Sequence, residues 1–543
     1  MLLSAIVAAI AIAAPPSAAP GDTVPLYDDL GDLHRPVTTS VTRAQLYFDQ
    51  GLRLYYAFNH PEAIRAFREA SRLDPDCAFC FYGEALAWGP NINMPMDSAG
   101  GVAAYAALQR AIAVKSHASG VERALIDALA ARYAPPELAA APRSALDSAY
   151  SNAMANVVQS YPNDQDVQVL FAESVMDLSP WEYWTPERTL RPRMGDALAQ
   201  LERVIAANPR HPGACHFYIH AVEAAYPERA VQCAERLASL MPGAGHLVHM
   251  PGHIYVRVGR YMDAVRANQH AVHADETFIR DGRPGQSTYT IGYYPHNFDF
   301  LAFAASMAGK SELAISTANH QASVIPVDLL AAPGMTFLQH HLTKRLQLLV
   351  RFGHWDEILH TPAPSSDLPH ATAIWHYARG RALAAEGKPD EADAELALLR
   401  TTASDPRLEG ARMEFNESRS VLGVAEQVLA GSIASARGDH EKAIRDLRAA
   451  VGLEDALTYG EPPEWTVPVR EELGAALLAG GRAAEAEQSY RQDLERFPSN
   501  GWSLFGLAQS LRTQGKSADA ERATADFRRA WAEADFKIEA SPY

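Results

Sequence analysis

Along most of the chain, apolar residues recur at intervals of three and four, the period of a helix that buries one face. The recurring unit is plainest in NGWSLFGLAQSLRTQGKSADAERATADF, where Leu507, Ala508, Leu511, Gly515 and Ala520 mark two short antiparallel helices. The glycine predicts a left-handed cap that closes the first helix, and the alanine five residues on lets the second helix approach closely. The same spacing recurs at Gly259 and Ala264, Gly309 and Ala314, Gly387 and Ala392, Gly438 and Ala443, and Gly481 and Ala486. Pro75, Pro242, Pro326 and Pro498 fall where second helices should stop, as proline requires. Between residues 97 and 210 the copies are degenerate, although GVERALIDALAARYA and DVQVLFAESVMDL still read as amphipathic helices. GPNINMPMDSAGG at 89–101 and FIRDGRPGQSTYTIGYYP at 278–295 are rich in Gly, Pro and Asn, and predict inserted loops.

This pattern resembles the tetratricopeptide repeat, a unit of about 34 residues, over nearly everything after residue 43. FDQGLRLYYAFNHPEAIRAFREASRLDP is a good first copy, with Gly51, Ala63, Phe67, Ala70 and Pro75 in the expected places. CAFCFYGEALAWGPNIN, HPGACHFYIHAVEA, HLVHMPGHIYVRVGRY and YYPHNFDFLAFAASMAG are similar to segments of a group of long secreted bacterial tetratricopeptide proteins. The resemblance implies an all-α fold, a right-handed α-solenoid of tetratricopeptide-type helix hairpins, and no particular activity. The expected organisation is a leader at 1–20, N-terminal repeats at 44–96, degenerate helical repeats at 97–210, histidine-rich repeats at 211–360 carrying the 278–295 insertion, and C-terminal repeats with a cap at 361–543.

Length and composition agree with a repeating architecture: 543 residues exceed one ordinary core, and 48% hydrophobic with 21% charged residues is globular. A net charge of −17, with no dense Lys/Arg block, repels phosphate backbones and excludes nucleic acid as a partner. The opening MLLSAIVAAIAIAAPPSAAP is an apolar run ending in small residues and prolines, which predicts a secretory leader and a periplasmic or secreted protein. No Lys or Arg precedes that run. Four cysteines are too few for a disulfide-built scaffold.

The candidate chemistry lies in the histidines. Counting back thirteen residues from successive helix-ending glycines reaches His246, His296 and His340; counting back ten reaches His249, Asp299 and Thr343; counting back six reaches His253, Phe303 and Gln347. In the preceding unit Ala225 stands where the glycine would be, and the same steps reach Pro212, Cys215 and Ile219. The resemblance implies that these places line a concave groove. Spacings of three, four and seven put His246, His249 and His253 on one helical face. First helices about 8–10 Å apart would let His296 and Asp299 reach the same point. His216, His220 and Glu223 form an HxxxH followed by an acid, one residue off that register, placed to flank the groove or brace its ligands. Pro251 predicts a kink between His249 and His253. His270 and His273 fall on a second helix and read as structural.

Other groups carry weaker signals. Cys77 and Cys80 form a CxxC without a second CxxC or a thioredoxin context, and read as a local disulfide. Cys215 reads as a small buried residue or a soft ligand. Glu173 and Asp177, four apart on one helical face, are either a solvated pair, the commoner case, or carboxylates that serve as acid and base or ligate a metal. Trp181, Tyr183 and Trp184, with Tyr289, Tyr293 and Tyr294, would either wall a pocket or pack the repeats, while Asn91 and Asn93 would fix their loop.

The leading expectation is an exported solenoid with a transition metal, Zn by default and Cu or Fe as alternatives, held by His216, His220, His246, His249, His253 and His296, with Glu223 or Asp299 as acid or base. The groove would take a small molecule, a peptide or a protein partner. The rival is an interaction scaffold that grips a peptide or partner domain without metal.

Overall fold

The computed structural model describes residues 24–135, 142–282 and 284–538. The leader expected at 1–20 lies outside them. Among the described residues the chain is all-α, with only isolated bridges such as Asn91 to Met94 between helices. It divides into two compact units, one of residues 1–254 and 269–294, the other of residues 255–268 and 295–543. No described helix is long and apolar enough to cross a membrane.

In the first unit the Thr42–Tyr56 and His60–Leu73 helices make the opening pair, and Asn59 caps the second by accepting from the Glu62 N–H. The degenerate region holds the predicted helices as Gly120–Leu129 and Gln165–Met176. In the second unit consecutive pairs follow the glycine ladder: Pro369–Ala385 with Pro389–Ala403, Ser418–Ala436 with His440–Asp455, and Gly501–Thr513 with Ser517–Ala530. Gly259, Gly309, Gly353, Gly387, Gly438, Gly481 and Gly515 all have φ between 70° and 75°, the left-handed cap the pattern predicts. At Gly387 the closure is a Schellman turn: Gly387 N–H donates to Ala384 O at 3.1 Å and Lys388 N–H to Leu383 O at 2.9 Å. Tyr377, Ala382, Ala392, Leu396 and Leu399 bury the seam of that hairpin.

Three expectations need correction. Most of 278–295 is helical: the Tyr261–Gly282 helix runs into it, and Tyr289–Tyr293 winds as a π-helix into Tyr294–Met307. The winding is anchored by the Tyr289 hydroxyl, which donates to Asp275 Oδ1 at 2.7 Å. Cys215 is buried, as one of its two readings has it, but it is not a free ligand, because it pairs with Cys233 on the next helix, Cα atoms 5.2 Å apart. Glu173 and Asp177 are buried in a polar core, Glu173 accepting from the Tyr55 hydroxyl at 2.6 Å and Asp177 paired with Arg132. Burial and the neighbouring carboxylate push Glu173 up to about 8.

Other expectations are met. Cys77 and Cys80 are bonded, Cα atoms 5.4 Å apart. Asn91 Oδ1 fixes its loop by accepting from the N–H groups of Asn93 and Met94, each at 2.9 Å. Pro251 interrupts its helix, which falls into Gly245–His249 and Pro251–Arg257.

Candidate functional site

Five histidines and one glutamate converge inside the first unit. His216 and His220 come from the Pro212–Val222 helix and Glu223 caps it; His246 and His249 come from Gly245–His249, and His253 from the helix after Pro251. Each is at most 2% exposed. The Pro212–Val222 helix sits close because Gly213 lies on the Tyr56 ring, where a Cβ would meet a ring carbon at 2.6 Å. That approach lets His216 Nδ1 reach Tyr56 O at 2.7 Å. Tyr56 is itself held by its hydroxyl, which donates to Asp166 Oδ1 at 2.8 Å, and Asp166 pairs with Arg35 at 3.0 Å.

These contacts settle where the protons sit. A carbonyl or an ionised carboxylate only accepts, so the imidazole nitrogen facing it carries hydrogen. His216 donates from Nδ1 to Tyr56 O. Glu223 bridges two rings, with Oε1 3.0 Å from His220 Nδ1 and Oε2 2.6 Å from His253 Nδ1. His216 is held neutral by its burial, so its lone pair is on Nε2. Burial alone would raise the Glu223 carboxyl, but the His253 and His220 imidazoles hold it down at about 2, so it stays ionised. His216 and His246 are pushed well below the usual imidazole range, first by burial and then by neighbouring rings, so both are neutral.

The Nε2 atoms form two close pairs, His216 with His246 at 3.1 Å and His249 with His253 at 2.8 Å. His216, His220 and His246 each offer a ligand atom within 4.8 Å of the others, and so do His220, Glu223 and His253. Adjacent ligands on a tetrahedral zinc with Zn–N near 2.05 Å stand about 3.3 Å apart. In the first trio the His216–His246 pair, at 3.1 Å, is close to that spacing. The three rings expected to act together along one helical face are thus divided: His246 turns to His216, while His249 pairs with His253 across the break at Pro251.

His216 and His220 lie among the converging rings, His216 Nε2 3.1 Å from His246 Nε2. The one-residue offset arose because the register was counted from Ala225, which does not take the left-handed conformation of the capping glycines. Aromatic residues surround the rings: Phe58 lies 4.4 Å from His216 and 5.3 Å from His246 between centroids, Tyr293 is 4.7 Å from His246, and Trp181 is 5.1 Å from His220. Phe58 was not legible as a site residue.

His296 and Asp299 belong to the second unit. His296 Nδ1 lies 3.4 Å from Glu414 Oε2, and His341 Nε2 lies 3.3 Å from Glu414 Oε1. Asp299 Oδ1 is 2.9 Å from Lys344 Nζ, so its carboxylate is engaged by a fully buried cation. His270 and His273 are exposed.

No protein-family model matches the chain, and no curated protein matches it. Among solved structures it is similar to the human IFIT1 dimer with m7Gppp-AAAA, at 11% identity and TM-score 0.30 over 91% of each chain. It is also similar to yeast Tom70, at 10% identity and TM-score 0.29 over 91% of each chain. A third likeness is the P58(IPK) TPR domain, at 13% identity and TM-score 0.21 over 87% of this chain and 99% of that one. At such TM-scores the assignment rests on the chain's own glycine-closed hairpins. Those hairpins make an all-α array of paired, glycine-closed helices among the described residues. In the tetratricopeptide register of the second unit, His340, Thr343 and Gln347 are at most 3% exposed. The 456–468 segment packs over that side, with Thr466 Oγ1 2.9 Å from Lys344 Nζ and Trp465 edge-on to Tyr377.

Proposed function

We propose that this is an exported tetratricopeptide protein whose first unit holds one transition-metal ion on the Nε2 atoms of His216, His220 and His246. The observation that carries this reading is the convergence of three buried imidazoles, His216 with its Nδ1 on a carbonyl and His220 with its Nδ1 on the Glu223 carboxylate. Zn²⁺ is the default occupant, and imidazole also suits Cu and Fe. Glu223 serves in this reading as the outer carboxylate that orients His220 and His253, the arrangement common behind metal-bound histidines. With its carboxyl held at about 2, it is a poor acid and a weak base at neutral pH. Asp299, engaged by Lys344, is structural. When bound, an ion with three protein ligands would supply Lewis-acid chemistry at its remaining position. His249 and His253 form a second pair behind this centre.

Elemental analysis of protein purified without an affinity tag tests the reading. One equivalent of Zn, Cu or Fe per chain is expected, falling below a tenth of an equivalent in His216→Ala/His246→Ala with the helical content unchanged. A metal-free wild type that also fails to take up Zn²⁺ sinks it. In the second unit His340, Thr343 and Gln347 are buried beside 456–468, so these three side chains are not themselves open to a peptide.

A further inference from the structure

Among the described residues, five that are not glycine have positive φ: Phe58, Trp181, Arg188, Arg193 and Ser499. The two aromatic ones both touch the imidazole centre. Phe58 has φ 56° and Trp181 φ 66°, and they flank the same ring: Phe58 is stacked on His220 at 6.1 Å with an interplanar angle of 12°, and Trp181 meets His220 edge-on at 5.1 Å and 80°. For bulky side chains the left-handed region is a genuine outlier, held only where the surroundings impose it.

Phe58 also stands at a place where its identity can be compared. It closes the Thr42–Tyr56 helix by the turn that the seven capping glycines make: Phe58 N–H donates to Tyr55 O and Asn59 N–H to Leu54 O, both at 3.0 Å. Like those glycines at Gly259 and Gly387, it precedes by five residues the alanine of the next helix, Ala63. Seven hairpins of this chain close without a side chain at this position. Closure therefore does not require a ring, and the backbone disfavours one. The ring is 1% exposed and touches all three imidazoles of the trio, at 4.4 Å from His216, 5.3 Å from His246 and 6.1 Å from His220.

We propose that Phe58 is a positioning residue of the metal centre: its ring, held in a strained cap, fixes the three imidazoles and keeps water from one side of the ion, so that the ion stays four-coordinate. The inference rests on the metal reading above. Trp181, edge-on to the same His220 ring, supports it, and its Nε1–H donates to Asn93 Oδ1 at 3.1 Å.

Titration with Co²⁺, whose visible bands are intense in four-coordination and weak in six, tests it. The wild type is expected to bind one Co²⁺ with the intense bands. Phe58→Gly relieves the cap, and Phe58→Leu keeps apolar volume without a flat ring. Both are expected to bind Co²⁺ about 10- to 100-fold more weakly, the range seen when the support of metal ligands is removed, with bands reduced toward six-coordination. If Phe58→Gly, or Phe58→Leu should the glycine variant not fold, keeps wild-type affinity and bands, Phe58 is packing alone and the inference is overturned. A wild type that takes up no Co²⁺ overturns the metal reading itself and this inference with it.

Discussion

His216 Nε2 faces His246 Nε2 at 3.1 Å in the interior of the first unit, and the other nitrogen of His216 is bound to Tyr56 O at 2.7 Å. Two neutral imidazoles at this distance either share a hydrogen, His246 donating, or jointly face a cation. His220 offers a third ligand atom within 4.8 Å of both, and its Nδ1 lies 3.0 Å from Glu223 Oε1, the arrangement on which the proposed metal site rests.

The Glu223 carboxylate accepts from two rings, and an amide there would offer one acceptor oxygen and a donor that opposes the second imidazole. Glu223→Gln is expected to weaken Zn²⁺ binding by about 10- to 100-fold, measured by competition with a chromophoric chelator. Unchanged affinity would mean that neither His220 nor His253 depends on this carboxylate.

Cys215 adjoins His216, and its bond to Cys233 closes a separation of 18 residues. Chain-entropy arguments give such a loop about 3 kcal/mol of stabilisation. Cys215→Ala/Cys233→Ala is expected to lose about 2–4 kcal/mol in urea unfolding and to bind metal more weakly. Cys77→Ala/Cys80→Ala, across a separation of three, should lose less. Equal losses would remove the claim that the longer link steadies the site.

How much of this was legible beforehand follows from which signals are local. The hairpins of the second unit were legible because a left-handed cap selects glycine and close helix contact selects alanine, both fixed in spacing. The first unit was harder: Phe58 fills the glycine's place, and Ala225, taken as a cap, is not one, so the count that located His246 misplaced His216 and His220 by one residue. That histidines gather near residues 216–253 was plain; that His246 and His249 take different partners depends on tertiary packing across Pro251. The 278–295 segment reads as loop by composition, yet the Tyr289–Asp275 bond and tyrosine packing wind most of it into helix.

Asp299 and Lys344 test whether the second unit's carboxylate is structural. They pair at 2.9 Å with Lys344 fully buried, so Asp299→Ala leaves a buried ammonium without its counter-charge, at a cost of about 3–5 kcal/mol. Asp299→Leu with Lys344→Met should recover most of that loss in equilibrium unfolding. An Asp299→Ala protein of wild-type stability would reopen an acid–base role.

Acid sensitivity should come in part from His370, whose Nδ1 lies 2.8 Å from Ser418 Oγ and whose imidazole burial holds down at about 3. Unfolded, it titrates near pH 6.5. Below that pH the unfolded chain takes up a proton that the folded chain refuses, so this group's contribution falls as pH drops from about 6.5 toward 3. Relative to His370→Gln, the wild type should lose about 1.4 kcal/mol per pH unit between about pH 6 and 4. Parallel pH profiles for the two proteins would show that His370 is not the group.

X-ray absorption at the zinc edge, on protein loaded with one equivalent of Zn²⁺, reads the centre most directly. Three imidazole nitrogens at about 2.0–2.1 Å are expected, dropping to two in His246→Ala. A zinc shell without imidazole scattering, or one that His216→Ala and His246→Ala both leave unchanged, would contradict a metal centre built on His216, His220 and His246.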